Sequence, residues 1–247
     1  MKIIISPAKK MNVDTDSLAV ESMPSMLHKT ELLKQWIQGL SREETKKLWK
    51  CNDKLVDLNF ERFREMDLYK NLTPAVLSYE GLQYQYMAPG VMEERQCTYI
   101  QEHLRIISGF YGLLAPFDGV VPYRLEMQAK ARVDGYKDLY AFWGESIYRT
   151  LTENDHIILN LASKEYSKVI EPYLQKKDQF VTCVFGEYKD GKVVQKGTMA
   201  KMARGEMVNF LSGIDAESPE DAKKFDRLSY EYREELSTDT EYVFLRK

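Results

Sequence analysis

The β-branched apolar runs of this sequence are only a few residues long, and each stops at a turn-forming residue. Lys2-Ile3-Ile4-Ile5 ends at Ser6-Pro7, and Ile157-Ile158-Leu159-Asn160-Leu161 ends at Ala162-Ser163. Runs of this kind fit buried strands and fall well short of the roughly 20 residues that a membrane-spanning helix needs. The first run is also shorter than the apolar region of a secretory signal, about 7–15 residues. Neither membrane association nor export is expected, and the expected location is the cytoplasm.

Segments of helical period lie between the strand-like runs. Leu32, Leu33, Trp36, Ile37 and Leu40 recur at helical spacing from about His28 to Leu40. Ser41-Arg42-Glu43-Glu44 is a capping box that starts a second helix through about Lys50. The pattern breaks at Cys51-Asn52-Asp53-Lys54 and restarts with Leu55, Leu58, Phe60 and Phe63. Thr73-Pro74-Ala75 reads as a capped helix start with proline in the first position. Thr98 to Leu114 places Ile100, Leu104, Ile107, Tyr111 and Leu114 on one face and predicts a single helix. Val120 to Met127 reads as extended, with Pro122 marking an edge or irregular strand.

Further along, the pattern predicts a helix from Gly144 to about Leu151 and another from Ser163 to about Leu174. Phe180–Phe185 and Val193–Gln195 flank Lys189-Asp190-Gly191 as a hairpin. Helices from Thr198 to about Leu211 and from Ser218 follow, and Tyr242–Leu245 is a terminal strand. Strands and helices alternate without a strict period and no linker is evident. One mixed α/β (α+β) domain over residues 1–247, a central mixed sheet surrounded by helices, is the economical fold.

The three cysteines, Cys51, Cys97 and Cys183, are widely spaced, which excludes a disulfide framework and suits a reducing compartment. His28, His103 and His156 are equally scattered, so neither a metal site nor a cofactor is expected. No G-x-S-x-G, P-loop or G-x-G-x-x-G motif occurs. The 35 basic and 38 acidic residues sum to −3, which gives no global attraction for nucleic acid. Residues 215–241 hold ten acidic and four basic residues, a local net of −6, which leaves about +3 for the rest.

In that remainder Lys201 and Arg204 are three apart on a predicted helix and share a face. They form either a solvated face or a phosphate site. Arg124 and Glu126, two apart in an extended segment, point the same way and make either a buried ion pair or the lining of a cleft. Ser163-Lys164-Glu165-Tyr166 follows a predicted strand, as Ser6-Pro7-Ala8-Lys9 does. Strand ends often carry chemistry, and a plain N-cap explains Ser163 as well.

Taken together, Ser6-Pro7-Ala8-Lys9, Leu104 to Leu114, Pro122-Tyr123-Arg124-Leu125-Glu126-Met127, Leu139-Tyr140-Ala141-Phe142-Trp143-Gly144, Asn160 to Tyr166 and Ala200 to Gly205 resemble the YaaA family of peroxide-stress proteins, in that family's order and over nearly the whole chain. The resemblance implies a bacterial protein of hydrogen peroxide resistance that limits damage from free iron and binds DNA as duplex, junction or bubble. It implies a single α/β domain with a basic cleft, which would take Lys9, Arg124, Glu126, Lys164, Lys201 and Arg204. It also implies a helix-hairpin-helix element, for which Asn52 and Lys54 are the equivalent contacts, although this connector has no glycine. Six phosphate contacts would give a log–log salt slope of about −5. The rival expectation is an enzyme acting on a nucleotide, nucleic acid or other anionic substrate, with Glu126 as acid or base beside Arg124 and Lys9.

Overall fold

Ile3, Ile4 and Ile5 are all fully buried, although consecutive strand residues point to opposite faces. A strand covered on both faces belongs in the middle of a parallel sheet, and that is where the computed structural model, which describes residues 1–247, places β1 (Lys2–Ile5).

After β1 the chain forms β2 (Lys10–Met11), then α1 (Leu27–Gln38), α2 (Arg42–Trp49) and α3 (Asp53–Arg64). β3 (Thr73–Pro74), α4 (Ala75–Ser78), β4 (Tyr79–Glu80), α5 (Leu82–Met87) and α6 (Glu94–His103) lead to β5 (Leu104–Ser108). β6 (Gly112–Leu114), β7 (Gly119–Val120), α7 (Leu139–Trp143), α8 (Ser146–Leu151), β8 (Ile157–Asn160) and α9 (Lys164–Ser167) follow. The last third holds the hairpin β9 (Gln179–Lys189) and β10 (Lys192–Val194), the long α10 (Gly197–Gly213), β11 (Tyr230–Tyr232) and β12 (Glu241–Arg246).

The main sheet runs β11-β12-β9-β8-β1-β5-β6, with β10 paired to β9. β12, β9, β8, β1 and β5 are mutually parallel, and β11 and β6 run antiparallel at the two edges. Ile3 pairs with Leu104 on one side and Leu159 on the other. The chain therefore leaves β1 towards β5 and later returns to β1's other side as β8. That reversal makes the carboxyl ends of β1 and β8 a topological switch point, where open parallel sheets form a crevice. A contiguous core runs from Met1 to Phe244.

Several local expectations are corrected. The predicted helix from Thr98 to Leu114 stops at His103, and Leu104–Ser108 is a parallel strand beside β1 that turns into β6. Its apolar residues fit a helical stripe by count, but Leu104, Ile106 and Ile107 are all fully buried, as in a strand covered on both faces. Thr73 does not cap a helix: its hydroxyl accepts the Asp14 N–H at 2.9 Å and Thr73–Pro74 pairs with β7. The helix after Ser163 ends at Ser167, with a 3₁₀ turn at Glu171–Tyr173. Of the extended segment predicted from Val120 to Met127, only Val120 is strand, as the last residue of β7.

Two glycines set how closely the pieces approach. A Cβ on Gly109 would lie 2.4 Å from the Leu125 carbonyl oxygen, so only glycine lets residues 125–127 lie against the turn after β5. A Cβ on Gly205 would lie 2.0 Å from the Gln83 carbonyl oxygen, so α10 and α5 meet backbone to backbone at that point. These contacts bring the Arg124–Glu126 segment to the end of β5 and seat the basic face of α10 beside α5.

Candidate anion-binding cleft

At the switch point lies a cleft of about 370 Å³. The loop after β1 contributes Ser6 and Lys9, the loop after β8 contributes Ser163 and Glu165, and α10 contributes Lys201 and Arg204. The floor is tied together by hydroxyls. The Ser163 N–H donates to Ser6 Oγ at 2.8 Å, Ser6 Oγ donates to Ser163 Oγ at 3.2 Å, and the Tyr84 hydroxyl donates to the Ser6 carbonyl at 3.0 Å. Ser163 begins α9 but makes no side-chain cap, so its hydroxyl is turned to this network and not to its own helix.

Arg204 is half-buried, forms no ion pair, and has a fully buried Nε without a hydrogen-bond partner. Burial lowers its pKa, and the only titratable neighbour that shifts it is the buried Cys183 thiol, which burial pushes well up. An arginine stays protonated under such conditions, so the cleft holds a cation with no counter-ion. Lys201, one turn earlier, is exposed.

The acids are held differently. Glu126 Oε1 has Arg124 Nη2 at 3.1 Å and Lys9 Nζ at 3.3 Å, and neither contact has hydrogen-bond geometry. Arg124 and Glu126 are 11% and 13% exposed whereas Lys9 is 67% exposed, so a buried ion pair is linked to the cleft rim through Lys9. Glu165 accepts the Gln128 N–H at 3.2 Å, and its backbone carbonyl accepts the Tyr140 hydroxyl at 2.8 Å. Burial raises the Glu165 carboxyl above the ordinary carboxylate range, the Glu126 charge raises it further, and Lys9 opposes both. Glu80, also at the cleft, is paired with Lys10 at 2.5 Å across β2 and β4.

Of the six residues expected to converge, Lys9, Lys201 and Arg204 line the cleft and Arg124 with Glu126 stand behind Lys9. Lys164 does not join them: its ammonium turns to Glu171, seven residues along, whose other oxygen accepts the Ser167 hydroxyl at 2.7 Å. The connector between α2 and α3 has no glycine hairpin. Lys50 adopts the left-handed conformation there, and the Asn52 side chain caps α3 by accepting the Leu55 N–H at 3.0 Å. Lys54 is exposed, next to Asp53, which pairs with Lys46 at 2.6 Å and Arg42 at 3.3 Å. Ser6 and Glu165 belong to the two strand-end segments that the sequence singles out, though without a role of their own, and Tyr84 has no signal in the sequence. The position of Ser6 and Ser163 just beyond two β-branched runs was the signal available.

No grouping of three or more His, Cys, Asp and Glu side chains is placed to hold a metal ion. The three cysteines are free thiols, and no helix is long and apolar enough to cross a membrane.

Over residues 1–236 the sequence matches the family model described as peroxide stress protein YaaA. It is 56% identical over 247 residues to a UPF0246 protein of Agathobacter rectalis, covering 100% of this chain and 99% of that protein. Similar proteins occur in Pediococcus pentosaceus, 54% identical over 246 residues with 100% and 98% covered, and in Lachnoclostridium phytofermentans, 55% identical over 246 residues with 100% and 96% covered.

Proposed function

The chain belongs to the peroxide stress protein YaaA family, and from that premise we propose that it serves resistance to hydrogen peroxide by binding DNA, without strong sequence preference, at the cleft between β1 and β8. The observation that carries this reading is Arg204, a guanidinium in a concave site with its Nε buried and unpartnered. A cation withdrawn from water without a counter-ion is costly, and a ligand anion relieves that cost. Lys201 on the same helix face and Lys9 at the rim add attraction for the same anion. The phosphate backbone is the anion that every DNA sequence presents, so duplex, junction and bubble forms are all partners in this reading. The limit on damage from free iron is then exerted at the DNA.

Three cationic contacts give a log–log salt slope of about −3, shallower than the roughly −5 of six contacts. Mobility shifts on duplex, junction and bubble DNA at graded salt test this. Binding at about 50 mM salt that is lost in the Lys201→Glu, Arg204→Glu double variant supports the reading, and no shift at that salt overturns it.

A second reading is favoured by the acids. Glu126 sits between two cations, and Glu165 beside it has a raised carboxyl. Such a pair suits acid–base chemistry on a nucleotide, nucleic acid or other anionic substrate. Glu126→Gln separates the two readings: a binder keeps or gains DNA affinity, whereas an enzyme loses turnover and retains its ligand.

A further inference from the structure

We propose that the cleft is a mononucleotide pocket. It takes a nucleoside monophosphate, either free or as the phosphorylated end of a DNA strand, with the phosphate on Arg204, Lys201 and the Ser163 hydroxyl and the nucleoside towards Glu165. This rests on the assignment of the cleft as the anion site and narrows what the site admits.

Size is the first argument. At about 370 Å³ the cleft lies at the lower end of small-molecule pockets. A duplex can only lie across the mouth of such a cleft and offer its cations a backbone phosphate, with its bases and sugars left outside. One nucleotide can enter whole, where the guanidinium of Arg204, whose Nε is sealed into the fold, lines the wall.

Topology is the second. The crevice outside the carboxyl ends of parallel strands, where the strand order reverses, is where open α/β sheets bind nucleotide-sized ligands. Here the reversal lies between β1 and β8, whose following loops are joined through Ser6 and Ser163.

The third argument is the donor inventory. Ser163 Oγ accepts from Ser6, and its own proton has no acceptor within the fold. Arg204 and Lys201, both lining the cleft, are in no ion pair. Two cations without a counter-ion, Lys201 and Arg204, match the double charge of a phosphate monoester better than the single charge of a diester, and the Ser163 hydroxyl adds a donor for one of its oxygens. The acids nearby do not cancel this. Glu80 is held by Lys10 at 2.5 Å, and Glu126 is held between Arg124 and Lys9. Glu165 accepts the Gln128 N–H at 3.2 Å and keeps lone pairs that can accept from sugar hydroxyls or base amino groups.

Isothermal titration of the full chain with a deoxynucleoside 5′-monophosphate, the matching deoxynucleoside and inorganic phosphate tests the pocket. The expected result is binding of the monophosphate at least about tenfold tighter than either part alone. Arg204→Met should weaken it about tenfold or more, and Lys201→Ala, an exposed change that leaves the fold alone, should weaken it several-fold. Competition by linear duplex carrying 5′-phosphates, but not by the same duplex dephosphorylated, assigns the ligand to strand ends. Failure of both duplexes to compete assigns it to the free nucleotide.

Closed circular duplex, which has no ends, separates this proposal from the DNA-binding reading. Retention of the circle with no monophosphate binding at millimolar concentration overturns the pocket and leaves DNA binding intact. Monophosphate binding with no retention of any DNA upholds the pocket and overturns the DNA reading.

Discussion

The backbone N–H of Ser163 donates to the hydroxyl of Ser6 at 2.8 Å, so the loops after two neighbouring parallel strands are held to each other directly. Ser6 is 9% exposed and the bond is partly buried, so removing its oxygen leaves the Ser163 N–H without its acceptor in the fold. Ser6→Ala is expected to cost about 1–3 kcal/mol in denaturant unfolding and to loosen the cleft enough to weaken DNA binding. Unchanged stability would show that the bond is not a structural tie.

Arg204→Met is expected to separate stability from binding. The variant removes a cation that has no protein partner and replaces it with apolar volume, a change that is neutral or stabilising in other buried charged sites. Thermal unfolding should show an unchanged or higher midpoint, while DNA affinity falls about tenfold or more. A large loss of stability would mean that the guanidinium has a partner in the fold.

Gly205 and Gly213 lie on the same helix and should respond oppositely to alanine. A Cβ at Gly205 meets the Gln83 carbonyl oxygen at 2.0 Å, whereas at Gly213 the nearest atom is the Gln96 amide nitrogen at 4.0 Å. Gly205→Ala should destabilise by about 1–3 kcal/mol and displace Arg204. Gly213→Ala should be neutral or stabilising by up to about 1 kcal/mol. Urea midpoints of the two variants check this.

Anion affinity should fall as pH rises above the ordinary glutamate range. Burial and then the Glu126 charge raise the Glu165 carboxyl, so the folded protein keeps that proton where the unfolded chain has lost it. The folded state thus binds more protons between the ordinary and the raised value, and the stability this group contributes declines with pH across that window. In the same window a carboxylate forms beside the bound anion and weakens it. Glu165→Gln should flatten both curves, read by DNA titrations and melting from about pH 4 to pH 8. A pH dependence that survives the substitution would assign the effect to another group.

Asn52→Ala should cost about 1 kcal/mol through loss of the α3 cap and leave DNA affinity unchanged, and Lys54→Glu should change neither greatly. A strong loss of DNA binding in either variant would place a contact at the α2–α3 connector after all.

What could be read from residues alone depended on how local the determinant was. The Ser41 capping box lies within four residues and forms as the spacing predicts, with the Ser41 N–H donating to Glu44 Oε2 at 2.8 Å. The runs at Lys2–Ile5 and Ile157–Asn160 were legible as strands because they are β-branched and bounded by turn residues. Leu104–Ser108 was not, because in a strand buried on both faces the alternation that betrays a strand disappears and a three-four count fits equally well. Lys201 and Arg204 share a helix face, as a spacing of three dictates, but that one is exposed and the other half-buried follows from α10 packing on α5 and β9, which no spacing encodes. Lys164 looked equivalent to them until Glu171, seven residues later, came within reach.

The central position of β1 carries a consequence for how the protein is made. Lys2–Ile5 leaves the ribosome long before Leu104–Ile106 and Ile158–Asn160, the two segments it must pair with. Its three isoleucines therefore wait without a partner until Leu104–Ile106 has been made, and with one edge open until Ile158–Asn160 has, in a topology of long-range contacts that folds slowly. Such a segment is prone to aggregate while it waits. Arg204 emerges later still, so the cleft is completed only after the strand that opens it has waited longest, and the demand for chaperone protection falls on that first strand.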